Sequence, residues 1–279
     1  MKRMLPILAL LVLAAAPEMA AAQAPCGRLE TLAAAEGGPY RVSVGEPEGR
    51  PAAVLILLPG GGGFADLDDR GCPRALTGNS LIRSVPAFRT AGMATALVDA
   101  PAAYQGGEGL GGFRIEPGHA AALGGLVPVL RQRYSVPVWI VGTSRGAISA
   151  ANAASRLDGD AAPDGVVLTS PVSAGGRGRL AWVAQSVFDL PLDRIRQPLL
   201  LVGHEADRCL RSPPASLATI AAAASGSARL QVVTVTGGPG SRFASAAVEA
   251  CEGREPHGFA EQEAEVAAGI VRFVRGGRY

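Results

Sequence analysis

The stretch Val138-Trp139-Ile140-Val141-Gly142-Thr143-Ser144-Arg145-Gly146-Ala147 decides how this chain is read. Its first four residues are apolar, and three of them are β-branched, as in a strand buried on both faces. After Gly146 the alanines Ala147, Ala150, Ala151, Ala153 and Ala154 suit a helix packed tightly against a sheet. Between strand and helix lies a GxSxG motif, whose flanking glycines let the backbone bend sharply and expose Ser144 Oγ at the turn. A serine hydroxyl is a poor nucleophile until a base removes its proton. The motif therefore gains meaning only from partners elsewhere in the chain.

Outward from this elbow, short apolar runs recur at Ala53 to Leu58, Ala94 to Val98, Gly165 to Thr169, Pro198 to Gly203 and Leu230 to Thr236. Tyr40 to Val44 alternates in character and reads as an edge strand. Helical spacing appears at Leu81 to Thr90, at Pro117 to Arg133 with a kink expected at Pro128, at Arg145 to Leu157, and at Ala260 to Val274. Strands alternating with helices predict an α/β fold, a mostly parallel central sheet flanked by helices on both faces. Ala100 to Glu116 is glycine-rich with almost no periodicity and is expected to be a mobile loop. The insert Ser170 to Gln197 carries Trp182, Val183, Val187, Phe188 and Leu190 and reads equally as a small cap or as a packed connection.

Lys2 and Arg3 precede an apolar run from Met4 to Ala16, followed by Ala20-Ala21-Ala22. This is the pattern of a secretory signal, so residues 1–22 are expected to be removed and residues 23–279 to form a single exported domain. The apolar run is too short to span a bilayer, so membrane insertion is not expected. Formal net charge is only +2 across 279 residues, with the two signs interspersed, so no nucleic-acid footprint is present. Lys2 is the one lysine, which excludes a Ser-Lys dyad, a pyridoxal Schiff base and a Walker-type loop beyond the signal.

Four cysteines, Cys26, Cys72, Cys209 and Cys251, favour disulfides in an exported chain and allow three connectivities. Neither a CxxC nor an HExxH is present, and no metal site or cofactor is expected. A base and an orienting acid are sought on loops after later strands. His257 in Pro256-His257-Gly258-Phe259 and Asp207 in Gly203-His204-Glu205-Ala206-Asp207 fit, with Glu205 as rival acid and Asp189 or Asp193 behind it. His204 reads as a supporting hydrogen-bonding residue, His119 as a partly exposed residue of a helix's first turn, and Asp99 as a turn former. Cys209 follows Asp207 closely and Cys251 precedes His257, which favours a Cys209 to Cys251 bridge and leaves Cys26 with Cys72.

Through the apolar strand with its GTSRG elbow, the run Pro59-Gly60-Gly61-Gly62-Gly63-Phe64 after an earlier strand, and the Asp and HGF segments, residues 40 to 275 resemble the α/β-hydrolase superfamily. The resemblance implies a serine hydrolase acting on a small-molecule ester through an acyl-serine intermediate. It gives Ser144 the role of nucleophile, His257 that of base and then acid, and Asp207 that of orienting carboxylate. An oxyanion hole would draw on the N–H of Arg145 and on Gly61 and Gly62. Many esterase relatives carry His before the glycine run where this chain has Pro59. A prolyl-oligopeptidase-like peptidase and a noncatalytic binding protein on the same fold are the alternatives.

Overall fold

The computed structural model describes residues 26–32, 39–176 and 185–279. Eight strands form one sheet: β1 (Arg28–Leu32), β2 (Tyr40–Gly45), β3 (Val54–Leu58), β4 (Ala94–Val98), β5 (Val138–Thr143), β6 (Gly165–Thr169), β7 (Leu199–His204) and β8 (Leu230–Val235). Their spatial order is β1-β2-β4-β3-β5-β6-β7-β8. β2 runs antiparallel to both β1 and β4, and every other neighbouring pair is parallel. The expected mostly parallel α/β sheet is therefore present.

Every residue of β3, β4, β5, β6 and β7 is buried, because helices cover both faces of the sheet. The pleat divides β3 between the two layers. Val54, Ile56 and Leu58 join Leu123, Leu126 and Ile148 on one face, while Leu55 and Leu57 join Phe88, Ile270 and Phe273 on the other. The first face is covered by α2 (Pro117–Gly124), α3 (Leu126–Tyr134), α4 (Arg145–Arg156) and α5 (Ser216–Ala223). The second is covered by α1 (Ser80–Thr90) and α6 (Glu263–Val274). Edge strand β8 alternates between exposed and more buried positions, as a strand with one solvated face should.

Three expectations need correction, and one helix, α5, was not expected. β2 is not at the edge, because the polar segment RLETL pairs outside it as β1. Leu29 and Leu32 are its only apolar residues, too few to announce a strand; its place is also held by the Cys26–Cys72 disulfide and by Glu30, which Arg133 grips at 2.7 and 2.9 Å. The helix from Pro117 breaks at Gly125, one turn before Pro128. Proline lacks the N–H that would reach the carbonyl four residues back, so the ladder fails near Gly124 and not at the proline itself. α5 has no marked helical stripe and escaped the periodicity reading.

Ala100 to Glu116 is also tied down and not a loose loop. It contains short 3₁₀ turns at Ala102–Tyr104 and Gly111–Ile115, stacks Tyr104 on Phe113 at 4.3 Å, and buries Arg114. In the Ser170 to Gln197 insert, Val187 and Leu190 join the core while Phe188 is exposed. Trp182 and Val183 of that insert, and the signal expected at residues 1–22, lie outside the described residues. Among the described residues, no helix is long and apolar enough to cross a membrane.

Candidate active site

Ser144 connects β5 to α4 with φ 54° and ψ −121°, a left-handed conformation costly for a residue with a Cβ, by about 1–3 kcal/mol. The surroundings hold it there. A Cβ on Gly142 would collide with the Gly146 carbonyl, and one on Gly146 with the Leu58 carbonyl of β3, so only glycine at both positions lets helix and strands close to this distance. The Ser144 N–H donates to the Thr169 carbonyl at 2.9 Å, and the Ser144 carbonyl accepts from Ala147 at 3.1 Å. The GxSxG spacing is thus a steric requirement of the elbow. Ser144 itself remains half-buried.

His257 lies in a short 3₁₀ turn, Pro256–Gly258, ahead of α6, and Asp207 lies just beyond β7. His257 Nδ1 is 2.9 Å from Asp207 Oδ2, and both side chains are buried. Asp207 Oδ1 accepts the Cys209 N–H at 2.7 Å, so each carboxylate oxygen has a partner and the carboxylate cannot rotate freely. An ionised carboxylate only accepts, so in that pairing Nδ1 is the donor, and in the neutral ring Nε2 keeps its lone pair. Nε2 is buried with no hydrogen-bond partner among the described residues. Ser144 and His257 line one cleft of about 350 Å³, together with Gly60, Gly61, Leu76 and Asn79. A larger cleft of about 560 Å³ lies near Cys26, Val85 and Arg89 and includes neither Ser144 nor His257.

The rival acid Glu205 is exposed, and its N–H donates to Val235 across the sheet. Asp189 caps the 3₁₀ turn Val187–Asp189, accepting from Ser186 N–H at 2.7 Å. His204 is buried, with Nε2 2.9 Å from Gln262 and Nδ1 accepting from the Ala206 N–H at 3.0 Å, a supporting position at the end of β7. His119 is buried and not partly exposed. Its Nδ1 is 3.1 Å from the Tyr40 hydroxyl, and burial, reinforced by the charge of Arg114, pushes its imidazole down to about 3.

The loops carrying these groups are held by residues with no motif to mark them. Asp99, fully buried, accepts the N–H groups of Ala65 at 2.6 Å and Leu67 at 3.0 Å, and so shapes the exit from the glycine run. Arg83 of α1 donates to Gly258 O at 2.9 Å, to Gly78 O and to Glu263, joining the Gly78 loop, the His257 turn and the start of α6. Buried Glu255 accepts from Ser241 Oγ at 2.8 Å and from Arg242. Burial opposes ionisation of Glu255, yet the hydrogen bonds from Arg242 and Ser241 hold its carboxyl below the usual range. Disulfides join Cys209 to Cys251 and Cys26 to Cys72.

Gly60 and Gly61 face the cleft, and a Cβ on Gly60 would stand 2.9 Å from Ser144 Cβ. Gly62 packs against Gly109, and its carbonyl accepts the Leu110 N–H at 2.8 Å. Arg145, first residue of α4, is partly buried; burial, and then the charge of Arg211, lowers its guanidinium to about 10, still protonated at neutral pH.

No protein-family model matches the sequence, and neither does any curated protein. Solved structures do match. An α/β serine hydrolase without a lid from Xanthomonas campestris superposes with TM-score 0.54 at 17% identity, covering 89% of this chain and 94% of that one. An α/β serine hydrolase homologue from Coxiella burnetii gives TM-score 0.57 at 16% identity, covering 88% and 97%. Thermogutta terrifontis esterase 2, in a form phosphonylated by sarin, gives TM-score 0.59 at 15% identity, covering 90% and 96%. With its sheet order, the elbow after β5 and these likenesses across most of the chain, the protein has the α/β-hydrolase fold.

Proposed function

We propose that this protein is a serine hydrolase that cleaves carboxylic esters through an acyl-serine intermediate, with Ser144, His257 and Asp207 as its triad. The observation that carries the reading is the state of His257. Its Nδ1 is engaged by Asp207 at 2.9 Å, while Nε2 has no partner among the described residues, and His257 lines the same cleft as Ser144. A buried imidazole nitrogen without a partner costs stability unless a task requires it. Accepting the Ser144 proton is such a task.

In this mechanism Ser144 Oγ attacks the ester carbonyl as its proton passes to His257 Nε2. Asp207 keeps the ring in the required tautomer and stabilises the imidazolium. The oxyanion that forms is met by the N–H of Arg145 and by N–H groups drawn from Gly60, Gly61 and Gly62 of the glycine run. The C–O bond then breaks, and His257 returns its proton to the departing alcohol. Water, deprotonated by His257, then attacks the acyl-serine; the bond between Ser144 Oγ and the acyl carbon breaks, His257 returns the proton to Ser144 Oγ, and the acid is released. A cleft of about 350 Å³, with Leu76 as its apolar wall, suits a small or medium acyl group. The esterase and serine hydrolase neighbours support the same reading. Two disulfides are compatible with work in an oxidising compartment outside the cytoplasm.

The test is labelling with a fluorophosphonate, followed by peptide mass spectrometry. An adduct on Ser144, together with turnover of p-nitrophenyl esters that falls as the acyl chain outgrows the cleft, is expected. Folded protein that takes up no probe at Ser144 would make the chain a noncatalytic member of its fold.

A further inference from the structure

Behind the glycine run lies a side chain that the triad does not use. Arg114, on the 3₁₀ turn Gly111–Ile115, is among the largest fully buried side chains of the protein, with 1% of its surface exposed. Among the described residues no carboxylate pairs with it. An unpaired cation in the interior is costly unless dipoles compensate it. Arg114 Nη1 donates to Ser149 Oγ at 2.7 Å, and Nη2 donates to the backbone carbonyls of Pro59 at 3.4 Å and Gly61 at 3.2 Å. Burial, then the charge of Arg145, lowers this guanidinium to about 9, so it is still charged at neutral pH.

These two carbonyls belong to the loop that walls the cleft. The run touches both groups: a Cβ on Gly60 would stand 2.9 Å from Ser144 Cβ, and one on Gly63 would stand 2.9 Å from Arg114 Nη2. In a trans peptide the C=O of one residue and the N–H of the next point in opposite directions. Drawing the Pro59 and Gly61 carbonyls back onto Arg114 therefore turns the N–H groups of Gly60 and Gly62 away from it. The remaining carbonyl, Gly60 O, is occupied by the Gly63 N–H at 3.1 Å, so the turn cannot easily flip. Glycine has the widest choice of backbone conformations, and a run of four needs such a brace to hold one of them.

We propose that Arg114 is a positioning residue for the oxyanion hole, a buried guanidinium that grips the outer carbonyls of the glycine run and sets its N–H groups toward the cleft. Its charge also polarises those peptides in the sense that strengthens their N–H donors. The inference rests on the serine hydrolase reading above, which the Ser144 labelling tests separately in the wild-type protein.

The experiment compares wild type with Arg114→Met, Arg114→Lys and Ser149→Ala, using steady-state kinetics on a p-nitrophenyl ester and inhibition by a trifluoromethyl ketone. That ketone is a transition-state mimic, because its adduct carries the oxyanion. Removing a donor from an oxyanion hole costs about 10²–10³ in kcat. For Arg114→Met we expect a kcat loss of about 10²-fold with KM changed by less than about threefold, and a trifluoromethyl ketone Ki that rises in step with the loss of kcat/KM. Arg114→Lys, which keeps the charge without the fork, should recover part of the loss. Ser149→Ala, which frees only Nη1, should lose about 3- to 10-fold by the same signature, and decides the matter if Arg114→Met does not fold. Unchanged kcat in a folded Arg114→Met, or in Ser149→Ala where Arg114→Met does not fold, overturns the proposal. So does a loss in which the ketone's affinity does not change. An unlabelled Ser144 in the wild type would fail the hydrolase reading itself and not Arg114 alone.

Discussion

Asp207 Oδ2 and His257 Nδ1 stand 2.9 Å apart, and a disulfide stitches the loops that carry them, since Cys209 lies two residues after the acid and Cys251 six before the histidine. The Cys209 N–H also donates to Asp207 Oδ1 at 2.7 Å, so the bridge and the carboxylate are parts of one assembly. Replacing Cys209 and Cys251 together by serine should lower kcat in protein that still folds. Replacing Cys26 and Cys72, at the outer edge of the sheet, should mainly lower stability. Either bridge closes a loop that, in the chain-entropy account, is worth roughly 4 kcal/mol. Equal effects of the two double variants on kcat, at temperatures where both are folded, would separate the disulfide from the site.

Ser144→Ala should reduce turnover by about 10⁴-fold or more while leaving the thermal unfolding transition nearly in place, because it removes one hydroxyl and keeps the Cβ the elbow already accommodates. Asp207→Asn should cost heavily and Glu205→Gln little, since only Asp207 touches His257. The reverse ranking of the two acids would reassign the orienting carboxylate.

Asp99→Ala should destabilise the fold by about 3 kcal/mol or more. It would leave the Ala65 and Leu67 N–H groups without their acceptor in a fully buried position. Because those residues follow the glycine run directly, kcat should fall as well. Urea unfolding reads the first effect, and a stability change under about 1 kcal/mol would contradict the account.

His119 makes stability depend on pH. Its imidazole is held neutral by burial and by the charge of Arg114, down to about 3, whereas in the unfolded chain it titrates near 6.5. Between those values the unfolded state binds the extra proton, so stability is fully present above about 6.5 and declines as the pH falls toward about 3, by up to ~1.4 kcal/mol per pH unit. Urea unfolding of wild type and His119→Gln at several pH values between 4 and 7.5 should show their stability difference shifting in favour of the variant on acidification. Parallel curves would remove His119 from the acid response.

What the sequence by itself determined is whatever depends on neighbours along the chain. The five central strands could be read because a strand covered on both faces must be apolar at every position, and the elbow because a strand-to-helix turn with a left-handed Ser144 demands small residues at 142 and 146. Asp207 and His257 were legible for a similar reason, since groups that meet at one end of a parallel sheet lie on loops after its strands. Tertiary structure alone decided the rest. β1 has just two apolar residues, Leu29 and Leu32, and is a strand because β2 offers it an edge, those leucines reach the core, the Cys26–Cys72 bridge tethers it and Arg133 holds Glu30. Arg114 and Asp99 act on backbone groups far away in the chain, and Arg83 ties the His257 loop to an ion pair with Glu263. A side chain that serves distant backbone donors and carbonyls leaves no periodicity or spacing behind it, because any residue can present those groups and only folding brings them within reach.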